Sequence, residues 1–190
     1  MEIFSYVIAR DYGFAPNPFF GVCTLATCKP DIRKSAQVGD IIIGTRAAPY
    51  SRQIVFYMKV SEILSFQEYW DDHRFASKKP NLYGSQKSAF GDNIYHKNGD
   101  EWLQEDSHHT HQNGDLSEEN LRTDTKSTNV LIASEFSYLG VNSVCIPDDI
   151  LEIIKKGPGF KRHFSGDFKS SVTRWLTQLP KGYLGMPIDW

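Results

Sequence analysis

The sequence predicts an α+β fold: a small, strongly curved antiparallel sheet or barrel with flanking helices and a long polar insertion. Three observations carry this prediction. Short apolar runs bounded by Gly, Pro and Asp recur towards both ends of the chain, as buried strands do. The strand–helix alternation of a doubly wound sheet is absent, as is any Walker or dinucleotide-binding glycine motif. From about residue 75 to 127 periodicity fails, over a length that exceeds ordinary connections in compact domains. With 190 residues and 40% hydrophobic content, one domain spanning 1–190 can bury a sizeable core, with 75–127 as the insertion.

The elements follow in order. "IFSYVIA" (Ile3–Ala9) is a buried strand, and "RDYGFAPNPFFG" after it is a loop, because Pro16 and Pro18 fix φ and cannot donate to a ladder. "VCTLATC" alternates well enough for a strand, and "KPDIRKSAQ" forms a helical turn. "VGDIIIGT" and "QIVFYMKVSEIL" are strands. A helix is expected in "SFQEYWDDHRF", with Ser65 as its N-cap and Glu68 in the capping-box position.

After the insertion, "NVLIASEFSYLG" and "VNSVCIP" are strand-like. "PDDILEIIKKG" reads as a short helix, with acids first, lysines last and Gly157 as the stop. In "SGDFKSSVTRWLTQL", Phe168, Val172, Trp175, Leu176 and Leu179 share one face and are expected in the core.

Composition narrows the function. Three cysteines without a close CxxC pair argue against a disulfide framework or zinc ribbon. Cys23 and Cys28 are expected as core or half-buried thiols, and Cys23 has no nearby sequence signature of a catalytic cysteine, so a thiol nucleophile is not expected. No signal peptide is visible at the start, and no apolar run approaches the ~20 residues that span a bilayer, so a cytoplasmic protein without membrane contact is expected. A formal charge of -2 excludes a chain that is basic all over, so any nucleic-acid contact must come from a local patch.

Charge is unevenly spread. From Asp92 to Asp124 nine acids face only Lys97 and Arg122, whereas from Leu151 to Trp190 seven bases face three acids. The basic tail is thus expected to meet an anion. Its sharpest candidate is "KKGPGFKRHFSG": Gly157 and Gly159 permit a tight turn of converging amides, and Lys161 and Arg162 supply charge. The plain alternative is a helix stop and an exposed connector.

In "GDNIY", Asp92 and Asn93 suit a tight turn, or they contact a sugar or base edge with Tyr95 as a stacking surface. Trp102 offers a second aromatic face, and Tyr12 and Asn17 sit in an aromatic, proline-stiffened stretch that can wall a cleft. His108 and His111 have HxxH spacing, with Asp106 or His96 as a third donor, but the ligand set falls short of a recognisable site and no metal is assigned. His96, His108 and Asp92 are the candidate acid–base groups should the chain catalyse a reaction.

The segments "FSYVIARDYGFAPNPFFGVCTLATCKPDIRKSAQVGDIIIGT", "FQEYWDDHRF", "GDNIYH", "SEFSYLG" and "GPGFKRHFSGDF" together resemble the second family of nucleotide modification associated domains. The resemblance covers nearly the whole chain. It implies a place in systems that make or handle modified nucleotides and DNA bases in bacteria and phages, and it carries over no catalytic residue. A looser likeness, in "VGDIIIGT" and the strand after it, is to modified-base readers of the PUA and EVE type, which implies a small barrel and an aromatic cleft.

The leading expectation is a domain that binds a nucleotide or modified nucleobase in a DNA-modification or phage-defence or counter-defence setting. In it the insertion folds over a cleft, Tyr95 or Trp102 stacks on the base, and the 157–162 turn holds phosphate. Two rivals stand beside it. One is an enzyme on the same ligand, a hydrolase or transferase. The other is a protein-interaction module whose acidic insertion mimics DNA.

Overall fold

The structure, a computed structural model, describes all 190 residues. The chain divides into two compact units. The first comprises Met1–Tyr12, Ala36–Ser61 and Ala133–Trp190; the second comprises Gly13–Ser35 and Glu62–Ile132. The α+β class holds in both.

A seven-stranded sheet organises the first unit. Its order is Phe160–Lys161, Ile3–Ile8, Ile41–Arg46, Gln53–Lys59, Glu135–Tyr138 and Gly182–Tyr183, with Val144–Cys145 paired to Gln53–Lys59. Ile3–Ile8 runs parallel to Ile41–Arg46, and Gly182–Tyr183 runs parallel to Glu135–Tyr138. The sheet is therefore mixed and open, not antiparallel throughout and not closed into a barrel. Short buried runs do not encode their partner or its direction, and a parallel pair needs a long crossover that local sequence does not announce.

One apolar cluster of this unit joins Ile3, Ile41 and Ile43 of the sheet to Ile150, Ile153, Val172 and Leu176. The last two lie on the helix Gly166–Gln178, capped by Ser165, whose hydroxyl accepts from Phe168 N. Phe168, Trp175 and Leu179 pack partly buried against the same cluster, as their spacing predicts. The segment expected as a second α-helix is a 3-10 helix, Asp148–Ile153, broken by the non-helical backbone of Ile150. Ile150 and Ile153 are both buried, and a three-residue period puts both towards the core where an α-turn would not do so as closely.

In the second unit Cys23–Leu25, Asn129–Ala133 and Glu62–Ser65 form a three-stranded sheet, and Tyr95–Asn98 pairs with Glu101–Gln104 as a hairpin. The capping box at Ser65 and Glu68 is present and starts the helix Phe66–Asp71. The stretch 75–127 is built of short elements, among them the helices Gln86–Ala89 and Glu118–Asp124. None of them exceeds seven residues, which is too short to print a helical or strand period on the sequence.

Polar side chains fill much of the interior of this unit. Lys78 is buried and donates to Asn17 Oδ1 at 2.7 Å, Asn17 O at 2.9 Å and Val22 O at 2.8 Å. Buried Arg33 donates to four backbone carbonyls, those of Cys28, Asp124, Ser127 and Asn129, at 2.5–2.8 Å. Full pairing is the condition on which such groups can be buried at all.

Candidate functional site

Most of the residues singled out in "GDNIY" belong to the interior of the second unit. Asp92 is fully buried: its Oδ2 accepts from Thr24 Oγ1 at 2.6 Å and its Oδ1 from the Tyr69 hydroxyl at 2.8 Å. Burial raises its carboxyl above the usual range, against the pull of Lys78 and these two hydrogen bonds. Buried Asn93 donates to Tyr69 O and Phe75 O, at 2.9 and 3.5 Å. Asn17 donates to Phe90 O at 2.8 Å and receives Lys78. These side chains tie loops to one another, as their turn-forming chemistry allows.

Tyr95 is buried edge-on against Phe66, and its hydroxyl donates to Asp124 Oδ2 at 2.9 Å. Burial, then Asp124, push its phenol far above the ordinary value. Trp102 is half-buried, edge-on to the same Phe66, with Lys97 Nζ 4.9 Å from its ring. His96 stacks on Trp70 at 3.9 Å and meets Glu105 Oε1 at 2.8 Å. His108 is exposed, with its ring near Phe14 and Phe90. His108 and His111 belong to no convergent set of three metal donors.

A different group does converge. The donor atoms of Cys28, His109 and Asp124 all lie within 4.8 Å of one another. Cys28 Sγ is 3.6 Å from His109 Nε2, and His109 Nδ1 is 2.9 Å from Asp124 Oδ2. Asp124 Oδ1 also accepts from the Cys28 backbone N–H at 2.7 Å. The backbone of His109 is anchored at its carbonyl by Asn120 at 2.8 Å and Gln104 at 3.2 Å, and Phe14 packs on its ring at 4.7 Å. Burial opposes its charge, but the hydrogen bonds to Asp124 and Cys28 outweigh it and raise His109 to about 9.

Cys28 and Lys29 both adopt left-handed backbone, at φ 56° and 41°. Non-glycine residues rarely do so, and two in succession are held here by Asp124 on the Cys28 N–H and Arg33 on its carbonyl. Cys23, in contrast, is completely buried, and burial pushes its thiol up to about 12. The sequence pattern groups both cysteines as core or half-buried thiols. The partners that separate them lie far along the chain, at His109 and Asp124, where no local motif signals them.

The first unit holds the basic tail. A hollow of about 450 Å³ is lined by Val7, Ala48 and Ile154 together with Arg46, Lys155 and Lys156, and reaches Gly157. Every lining residue belongs to the first unit. Arg46 is held in place by Gln53 Oε1 at 3.0 Å and by the ring of Tyr50, 4.4 Å away. Gly157 and Gly159 take the left-handed backbone that the turn requires, at φ 72° and 83°.

Of the residues expected to hold phosphate, Gly157 alone lines this hollow. Lys161 is engaged by Glu152 O at 2.7 Å and Glu152 Oε1 at 3.2 Å. Arg162 Nε contacts His163 Nε2 at 3.2 Å. Tyr12 accepts the indole N–H of Trp190 at its carbonyl, at 2.8 Å. The cations at the hollow are those just before the turn, and Arg46 at the end of a strand, which no spacing rule connects to them.

A family model described as nucleotide modification associated domain 2 matches residues 1–190. The chain belongs to this family. The family's description places it in nucleotide-modification systems. No curated protein and no solved structure matches the chain. No helix is long and apolar enough to cross a membrane.

Proposed function

We propose that the chain binds a nucleotide or modified nucleobase, in a DNA-modification or phage-defence or counter-defence system, and that it does so at the cationic hollow of the first unit. One observation carries the reading: the lining of a single concavity combines apolar Val7, Ala48 and Ile154 with Arg46, Lys155 and Lys156. A base presents an apolar face and a phosphate presents charge, so a ligand with both ends matches this lining. About 450 Å³ is in the range of small-molecule sites and has room for a mononucleotide. Arg46 is already oriented by Gln53 and Tyr50, which lowers the cost of ordering it on an anion.

Calorimetric titration at low salt with nucleoside mono- and triphosphates, and with modified and unmodified oligonucleotides, tests the proposal. Arg46→Ala and the pair Lys155→Ala with Lys156→Ala are each expected to weaken nucleotide binding at least about tenfold, the loss of one charge-assisted contact or more. Absence of binding by the unaltered protein, or unchanged affinity in both variants, rejects this site.

A further inference from the structure

We propose that Cys28 is a catalytic nucleophile for an acyl substrate, an amide or ester, with His109 as its acid–base partner and Asp124 as the residue that positions the imidazole. All three residues belong to the second unit, and their chemistry does not depend on nucleotide binding at the hollow. Three features support it independently. The Sγ–Nε2 and Nδ1–Oδ2 contacts, 3.6 and 2.9 Å, run in series through the two nitrogens of one ring, the order a nucleophile, its base and the orienting group require. The thiol is half-buried, so it is neither sealed like Cys23 nor fully solvated like Cys145. Its backbone sits in a left-handed turn that neighbouring hydrogen bonds hold in place.

The same three residues carry donor types that bind metals. The hydrogen bonding argues against that use. Asp124 Oδ1 is occupied by Cys28 N–H, and Oδ2 by both Tyr95 and His109. His109 spends Nδ1 on Asp124. Sγ and Nε2 are the two donor atoms not engaged in this way, and a third protein ligand would have to come from Asp124 Oδ1 while it holds the Cys28 N–H.

The chemistry follows from the proton positions. His109 Nε2, 3.6 Å from Sγ, is placed to take the thiol proton. Thiolate Sγ attacks the carbonyl carbon; the C–S bond forms and the C=O π pair moves to oxygen. When the adduct collapses, the bond to the leaving nitrogen or oxygen breaks, and His109 gives it the Nε2 proton. Water then attacks the thioester and passes a proton to His109. The C–S bond breaks, the carboxylic acid departs, and the thiolate–imidazolium pair is restored. The other titratable or charged groups around the pair are Asp124, Tyr95, Arg33, Lys29 and His108.

The protein carries its own references for a test. The full chain is treated with limiting iodoacetamide at pH 6, and alkylation at Cys28, Cys145 and Cys23 is followed by peptide mass spectrometry. An ordinary thiol is roughly 0.3% thiolate at that pH, so Cys28 is expected to react at least about tenfold faster than exposed Cys145. Buried Cys23 stays unmodified. His109→Gln removes the preference while the Cys145 rate is unchanged. Asp124→Asn moves the pH midpoint of Cys28 alkylation upward, which mere loosening of the fold does not do; an unmoved midpoint removes Asp124 from the mechanism.

p-Nitrophenyl acetate then tests the acyl class: acetyl is expected on Cys28, followed by hydrolytic turnover. Cys28 reacting no faster than Cys145 in the unaltered protein overturns the proposal, whatever the variants do. So does a preference that survives in His109→Gln. Fast alkylation without acetylation overturns the acyl assignment. A cobalt–thiolate absorption band on adding Co²⁺, with Cys28 protected, shows a metal site instead. Each arm can succeed or fail whether or not nucleotides bind at the hollow.

Discussion

His109 Nδ1 donates to Asp124 Oδ2 across 2.9 Å, joining a loop residue to the last residue of the helix Glu118–Asp124. A carboxylate at a helix C-terminus opposes the dipole, so the site must repay it with donors, and it does so with Tyr95, His109 and the Cys28 N–H. The consequence for stability has a definite sign. His109 stands at about 9 when folded, above the ordinary 6.5. Its protonated form therefore contributes stability that is complete below pH 6.5 and lost as pH rises through 9.

Urea unfolding of the unaltered protein and of His109→Gln measures that contribution. The difference between them should be on the order of 2 kcal/mol larger at pH 6 than at pH 10. A difference that does not change with pH means that no proton is held more tightly in the folded state.

Arg33→Lys should be costly although it conserves charge. The guanidinium spans four carbonyls and lies 5.2 Å from the Phe66 ring centre. An ammonium has three donors and cannot reproduce that planar spread. The expected loss is about 3 kcal/mol, read as a lower urea midpoint with unchanged slope. Because Arg33 also holds the Cys28 carbonyl, the Cys28 alkylation preference should fall with it.

Asp92 and Lys78 are both buried and each affects the other's titration, without an ion pair between them. Burial lowers Lys78 to about 8 even with Asp92 and Cys23 opposing the shift. Asp92→Asn sets an amide against two hydroxyl donors and leaves Lys78 without its opposing charge, at a cost of about 3 kcal/mol. Lys78→Met alone should also destabilise. The double variant should lose less than the sum of the two by at least about 1 kcal/mol; strict additivity would show that the charges do not sense each other.

The sequence's legibility divides along physical lines. The Ser65–Glu68 capping box and the apolar face from Phe168 to Leu179 were readable because each is a local pattern with fixed spacing. Gly157 and Gly159 were readable as a turn for the same reason. The sheet order and its two parallel pairs were not, because strand partners are chosen by tertiary packing. Asp92 and Asn93 have the composition of a binding loop yet are buried, because a polar core bonded to Tyr69, Thr24 and backbone carbonyls has the same residue types as a ligand site, though it leaves Asn93 Oδ1 without a partner. The Cys28–His109 pairing spans 81 positions, and nothing near either residue encodes the other.

Gly44 lies in the strand that ends at Arg46. A Cβ there would come within 2.3 Å of Phe56 Cε1 and 2.5 Å of Ile8 Cδ1. Both neighbours are buried, and Phe56 also packs against Tyr6, so neither can swing into solvent to make room. Gly44→Ala should therefore destabilise by about 2–3 kcal/mol through overpacking, in the opposite sense to the gain alanine normally gives over glycine in a strand. Phe56→Leu, added to Gly44→Ala, removes the obstructing ring edge and should recover part of that loss in a denaturant titration. If Gly44→Ala is neutral by itself, the close approach at this position is not a constraint on the sheet. If it is costly and Phe56→Leu brings no relief, the constraint comes from Ile8, whose strand also contributes Val7 to the hollow beside Arg46.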